Sequence, residues 1–205
     1  METTLDTYQT IKGASQGLYK EKGSKFIALA FPVLSEDDIK QILLDQRKEY
    51  HDARHHCYAY ILGFKGEVWR ANDDGEPSST AGKPIYGQLL SRNLTNTLVV
   101  VIRYFGGTKL GVSGLINAYK LSAADALDSA EIITKTVNDI YRISFAYQAM
   151  NDVMKTVKDE DLRIINQQFD TACFLEVGVR QTKSSVLIDK IDKIDSAIAE
   201  YLRTE

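Results

Sequence analysis

Cysteine is scarce in this chain of 205 residues: Cys57 and Cys173 stand far apart and form no Cys-x-x-Cys pair, which argues for a reducing cytoplasm. A basic excess is also missing, because 25 Lys and Arg face 28 Asp and Glu for a net charge of -3. No global field therefore draws the protein onto nucleic acid or anionic lipid, and any polyanion binding has to be local. The longest uncharged apolar stretch, residues 26–34, is interrupted by Pro32. It falls far below the roughly 20 residues that cross a bilayer, so no transmembrane segment and no membrane partner are expected. The opening Met1-Glu2-Thr3-Thr4 has neither the basic nor the apolar region of a secretory signal, which again places the protein in the cytoplasm.

Three signatures of site chemistry are absent as well. Residues 75–83 contain Gly75, Gly82 and Lys83, but six residues separate the glycines where a Walker loop has four, and Pro84 follows the lysine in place of Ser or Thr. His51, His55, His56 and Cys57 are metal-ligand types, yet neighbours on a strand point to opposite faces, and no His-Glu-x-x-His pattern is present. Ser78, Ser79 or Thr80 could serve as a nucleophile with His55 or His56 as base and Glu76 or Asp74 as orienter. No Gly-x-Ser-x-Gly elbow surrounds them, and hydroxyls beside acids and glycines serve equally well as loop caps. No catalytic residue, metal or cofactor is assigned.

What is there is ordinary globular composition, 44% hydrophobic and 26% charged, enough for one large domain or two small ones. Residues 17–31 read as a hairpin turning at Lys22-Gly23. Ser35-Glu36-Asp37-Asp38 opens a helix with Ile39, Ile42 and Leu43 on one face. Two strands follow, 57–64 and 67–71, and then a loop, 73–83, and a short helix to about Arg92. Residues 97–104 are rich in β-branched side chains, the pattern of a central strand covered on both faces. A glycine-rich connection, 106–114, leads into a helix over 115–130, where Ser122, Ala123 and Ala126 imply close packing on the sheet. Beyond Glu131 the order is strand 139–146, helix 148–159, strands 162–169 and 172–180, and helix 184–202. That succession suggests a second, small α+β domain, with boundaries at 1–134 and 135–205.

The polar, glycine-punctuated stretches are the part of the chain least explained by packing, and each abuts a strand-like run. They hold Arg54, His55 and His56; then Asp73, Asp74, Glu76, Ser78, Thr80 and Lys83; then Arg103, Gly106, Gly107, Lys109 and Gly111. Gathered at one end of a sheet, they would form a single binding cleft. The 106–114 connection can be read as an anion cradle, with exposed N–H groups, Lys109 and a helix N-terminus, or as a tight turn whose glycines supply unusual dihedrals. Tyr58, Tyr60, Phe64, Trp69, Tyr104 and Phe105 interleave with Arg54, Arg70 and Arg103, the mixture that stacks and neutralises single-stranded RNA. Tyr58 and Tyr60 share one strand face and belong to the core on this reading.

Four ordered segments, Lys22-Gly23-Ser24-Lys25-Phe26-Ile27-Ala28, Ala53-Arg54-His55-His56-Cys57-Tyr58-Ala59-Tyr60, the 73–84 loop and residues 99–111, closely resemble the YigZ/IMPACT family. The resemblance is strong over about residues 15–130 and extends in length and pattern to the C-terminal domain of the bacterial members. It implies an α+β protein. The first domain would be a two-layer α/β domain like the second domain of a small-subunit ribosomal protein and domain IV of elongation factor G, and the second would be ferredoxin-like. With the final helix read to Leu202, only Arg203-Thr204-Glu205 remain, so the last strand of that domain is expected to be missing. One departure is Ser79, where the family usually carries glycine.

The resemblance also implies a place in translation, since eukaryotic IMPACT proteins act in translational control under amino-acid starvation by competing for an activator of an initiation-factor kinase. The expectation is a non-enzymatic, translation-associated or stress-regulatory protein. Its first-domain cleft would bind the ribosome or RNA, or a protein partner in translational control, without DNA sequence specificity. The rival is an enzyme acting on a phosphorylated small molecule in the same cleft.

Overall fold

The structure is a computed structural model and describes residues 6–170 and 173–205. Met1-Glu2-Thr3-Thr4 and Ala172, the expected start of a strand, lie outside the described residues. The chain divides into two compact units, Tyr8–Lys135 on one side and Thr136–Glu205 with Asp6 and Thr7 on the other.

In the first unit, β1 (Thr7–Ile11) is followed by the hairpin β2 (Ser15–Glu21) and β3 (Ser24–Pro32). The hairpin turns at Lys22 and Gly23, whose φ values of 46° and 78° are both left-handed, as strand twist favours in a two-residue turn. Helix α1 (Glu36–Glu49) opens with a reciprocal cap: Asp38 N–H donates to Ser35 Oγ at 3.1 Å, and Ser35 N–H donates to Asp38 Oδ2 at 3.0 Å. The chain continues through β4 (His55–Leu62), β5 (Val68–Asn72), α2 (Gly82–Ser91), β6 (Thr97–Tyr104), α3 (Gly111–Asp128) and β7 (Ile132–Thr136). Five strands form one antiparallel sheet in the order β2-β3-β6-β4-β5, and β1 pairs with β7 in a separate two-stranded sheet.

Strand β6 is central, and its alternation sorts the core. Leu98, Val100 and Ile102 face one side with Ile27, Tyr58 and Tyr60, under Ile39 of α1. Val99 and Val101 face the other with Ala28, Cys57 and Ala59, under Ile85 of α2 and Leu115 and Tyr119 of α3. The two-layer expectation is thus corrected to three layers, because the apolar face of α1 covers the side that two layers would leave open. Helix α3 lies so close to β2 that a Cβ on Gly17 would sit 2.2 Å from the Ala126 nitrogen. Two bonds hold it there: Ser15 Oγ donates to the Ala126 carbonyl at 2.7 Å, and Leu18 N–H donates to Asp125 Oδ2 at 2.8 Å.

The second unit runs β8 (Asn138–Phe145), α4 (Met150–Asp159), β9 (Arg163–Phe169), β10 (Cys173–Arg180), α5 (Ser184–Ile191) and β11 (Ala197–Thr204). Its antiparallel sheet has the order β11-β8-β10-β9. Ile143, Leu175 and Val177 pack on Val153 of α4 and on Leu187 and Ile191 of α5. The expected missing strand is corrected here: the helix stops at Ile191, Ser196 takes a left-handed φ of 62°, and the chain returns as β11 with Ala197 opposite Phe145. Buried Asp139 ties this closure together, accepting from Ser184 Oγ and Thr204 Oγ1, both at 2.6 Å. Asp6 accepts from Arg180 at 2.8 Å and Thr182 at 2.6 Å, and these bonds hold its carboxyl below the usual carboxylate range. Among the described residues, no helix is long and apolar enough to cross a membrane.

Candidate functional site

At one end of the five-stranded sheet, Phe26, Arg103 and His55 stand side by side in register on β3, β6 and β4. Directly opposed residues share a face, so all three look toward α3. The next row, Ile27, Ile102 and His56, turns toward α1. Strand alternation therefore separates the two adjacent histidines: His55 borders a cleft, whereas His56 is buried on the far face with Nε2 unpartnered. Burial, followed by the Arg47 charge, pushes His56 below its usual range.

Arg103 lies between two aromatic rings, its guanidinium carbon 5.4 Å from the centre of Phe26 and 5.7 Å from that of Phe105. It donates to Glu76 Oε1 at 2.5 Å, and only 8% of the Arg103 side chain and 4% of the Glu76 side chain are exposed. The same carboxylate oxygen accepts from Tyr119 Oη at 2.8 Å, which in turn accepts from Cys57 Sγ at 3.3 Å. Burial pushes both the Tyr119 phenol and the Cys57 thiol up, so both stay protonated and remain donors. A polar chain thus runs from the cleft wall into the core.

The 73–83 loop is shaped by its two aspartates. Asp73 accepts from Ser79 N–H at 2.8 Å, Ala81 N–H at 2.9 Å and Gly82 N–H at 2.8 Å. It thereby caps α2 from outside the helix, where Ala81 supplies no side-chain cap. Asp74 accepts from Arg47 at 2.7 Å and from His56 N–H at 2.6 Å. Burial would raise the Asp74 carboxyl, but these two donors hold it below its usual range. His55 Nδ1–H donates to the Asp74 carbonyl at 2.8 Å, and Thr80 Oγ1 donates to the Pro77 carbonyl at 2.6 Å. On the 106–114 connection, a Cβ at Gly106 would lie 1.9 Å from the Gly23 carbonyl carbon. Glycine is needed there so that this turn can rest on the β2–β3 hairpin.

Between the loop, β6 and the start of α3 lies a cavity of about 480 Å³. Of the residues singled out from sequence, Arg54, His55, Glu76, Arg103, Lys109 and Gly111 line it. Helix α3 begins at Gly111 rather than Leu115, so its N-terminal N–H groups belong to the cavity wall. The other candidates lie elsewhere: His56 on the opposite face, Asp73 and Asp74 in the loop's scaffold, Thr80 buried, Gly106 against the hairpin, and Ser78, Lys83 and Gly107 exposed outside the lining. Phe105, Leu110, Val112 and Leu115 join the wall without having been assigned to it. Their signal was positional, since they flank Lys109 and Gly111 in sequence. Tyr58 and Tyr60 stack within the core at 6.4 Å, and Trp69 stacks on Tyr86 at 4.5 Å away from this lining. Among the described residues, no group of three His, Cys, Asp or Glu could hold a metal.

Residues 22–127, which carry all of these cavity walls, match the family model of the Impact N-terminal domain. The chain belongs to the IMPACT family. It is 34% identical over 201 residues to the IMPACT family member YvyE of Bacillus subtilis, covering 98% of this chain and 93% of that protein. It is 30% identical over 186 residues to the IMPACT family member YigZ of Escherichia coli, covering 90% and 91%. A crystal structure of a hypothetical protein superimposes with a TM-score of 0.74 at 27% identity, covering 97% of this chain and 98% of that one. Ser79 holds a left-handed φ of 63°, the conformation that glycine adopts without steric cost.

Proposed function

We propose that this IMPACT family member is a non-enzymatic, translation-associated or stress-regulatory protein that contacts RNA or the ribosome through the cleft of its first unit. One observation carries the reading: in a chain of net charge -3, Arg54, Arg103, Lys109 and the N-terminus of α3 converge on one cavity, with Glu76 as the only carboxylate in its lining among the described residues. Local positive charge in a recess suits phosphate oxygens. Translational control by eukaryotic IMPACT proteins, implied by the sequence resemblance, supplies the setting. Supporting this over chemistry on a phosphorylated small molecule, His55 Nδ1–H and Thr80 Oγ1 are each committed to a main-chain carbonyl.

The architecture supports the same placement. The βαββαβ order of the second unit, with strand order β11-β8-β10-β9, suits a ferredoxin-like domain. The test is co-sedimentation of the protein with ribosomes across a salt series, comparing wild type with Lys109→Ala and Arg54→Glu. Binding that weakens steeply with salt and with either substitution is the expected result. No pelleting at low salt would sink the proposal.

A further inference from the structure

The cavity wall is divided. Arg54, Arg103 and Lys109 make one part cationic, whereas Phe105, Leu110, Val112 and Leu115 make the other apolar. Phe105 is 51% exposed and Val112 59% exposed, so part of the apolar wall is open to a ligand. Arg103 is nine-tenths buried in the wall and bonds Glu76 through Nη1, which leaves Arg54 and Lys109 as the cations of the lining without an ion pair among the described residues. A group that fits here needs an anion joined to a flat, largely apolar body. A nucleotide has both, and about 480 Å³ lies within the usual range for a site of that size.

A neighbouring feature extends the charge beyond the cleft. The β2–β3 hairpin, against which Gly106 rests, carries a separate concavity of about 410 Å³ lined by Lys20, Lys22 and Lys25 together with Glu21. Lys20 and Lys25 stand directly opposite each other across the hairpin, a like-charge pairing that disfavours the free protein, and alternation turns this pair, with Tyr104 beside Lys25, to the α1 face, while Lys22 lies in the turn at the end of the sheet. None of the three lysines is ion-paired among the described residues. A chain of phosphates crossing this end of the sheet would neutralise them.

We propose that the cleft receives one unpaired nucleotide of a single-stranded RNA. Its base rests against Phe105 and the apolar start of α3, its phosphate lies at Arg54 and Lys109, and the strand continues around the hairpin end past Lys22 to Lys25. This rests on the RNA reading above and narrows it. A duplex keeps its bases stacked inside and cannot bring one against Phe105, whereas a single strand can splay a base out and stack it on an aromatic ring.

Fluorescence anisotropy at low salt tests it, using a labelled oligoribonucleotide about a dozen nucleotides long, alone and annealed into a blunt duplex. The single strand is expected to bind about tenfold more tightly than the duplex, and Phe105→Ala, at an exposed position, to weaken it about five- to tenfold. Lys22→Glu with Lys25→Glu should flatten the slope of log affinity against log salt by about 1.4 units, about 0.7 for each lysine. Equal binding of single strand and duplex, or an unchanged Phe105→Ala, overturns the unpaired-nucleotide proposal while leaving RNA binding in place. Displacement by adenosine monophosphate at the oligonucleotide's own affinity overturns it in favour of a free nucleotide. No binding to any RNA at low salt overturns both proposals and leaves a protein partner as the occupant to seek.

Discussion

Arg103 and Glu76 form an ion pair at 2.5 Å in which both side chains are more than nine-tenths buried, and they join the central strand to the polar loop. Removing one member strands the other charge in the wall. Glu76→Ala should therefore cost about 3 kcal/mol in urea unfolding. The double variant Glu76→Gln with Arg103→Met should recover most of it, because no uncompensated charge is left. A loss below about 1 kcal/mol for the single change would contradict the buried pairing.

Asp73 gathers three main-chain donors, from Ser79, Ala81 and Gly82, and so holds the loop and the start of α2 together. Asp73→Ala should destabilise the protein by about 2 kcal/mol, the upper end for a lost helix cap, with Asp73→Asn costing less. Amide exchange would show faster opening at residues 79–85. Unchanged protection there would rule out the capping role.

Ser79 sits at φ 63° in that same loop. A side chain in the left-handed region costs on the order of 1 kcal/mol, partly offset by the extra freedom glycine brings to the unfolded chain. Ser79→Gly is expected to raise the unfolding midpoint slightly, by the equivalent of about 0.5 kcal/mol. A lower midpoint would mean that the hydroxyl has a role the backbone does not reveal.

His56, buried beside the Arg47–Asp74 pair, is held below the usual imidazole value of 6.5 in the folded protein. The unfolded chain then binds a proton more readily than the folded one as pH drops. The stability this group contributes is complete above 6.5 and declines as pH falls from there toward the folded value. Urea midpoints measured between about pH 7 and 5 should fall for wild type and fall less for His56→Phe. Equal slopes would assign the pH dependence to other groups.

Much of the first unit was legible because its signals are local. The β-branched run at 97–104 does lie between two apolar layers, Lys22-Gly23 does make the turn, and Ser35 with Asp38 does cap α1. The last strand was not legible. Val186, Leu187, Ile191, Ile194 and Ile198 continue a helical spacing past the true end of α5, and the reversal at Ser196 rests on a left-handed serine that sequence does not announce. Strands β1 and β7 escaped because each has only five residues and little alternation. Within the site, alternation ruled out a metal shared by His55 and His56, but both were placed in the cleft, and the structure turns His56 to the opposite face. By contrast, the roles of Asp73 and Asp74 depend on how the loop folds back, which pattern cannot supply.

The contact between Gly17 and Ala126 reaches further than its own neighbourhood. Residue 126 is near the C-terminal end of α3, and the cleft meets that helix at Gly111, about 22 Å away at 1.5 Å per residue. A helix behaves as a stiff rod over that length. A side chain at position 17 would prise one end away from β2 and swing the other, so the aperture of the cleft is gauged from the opposite end of the helix by an atom that is not there.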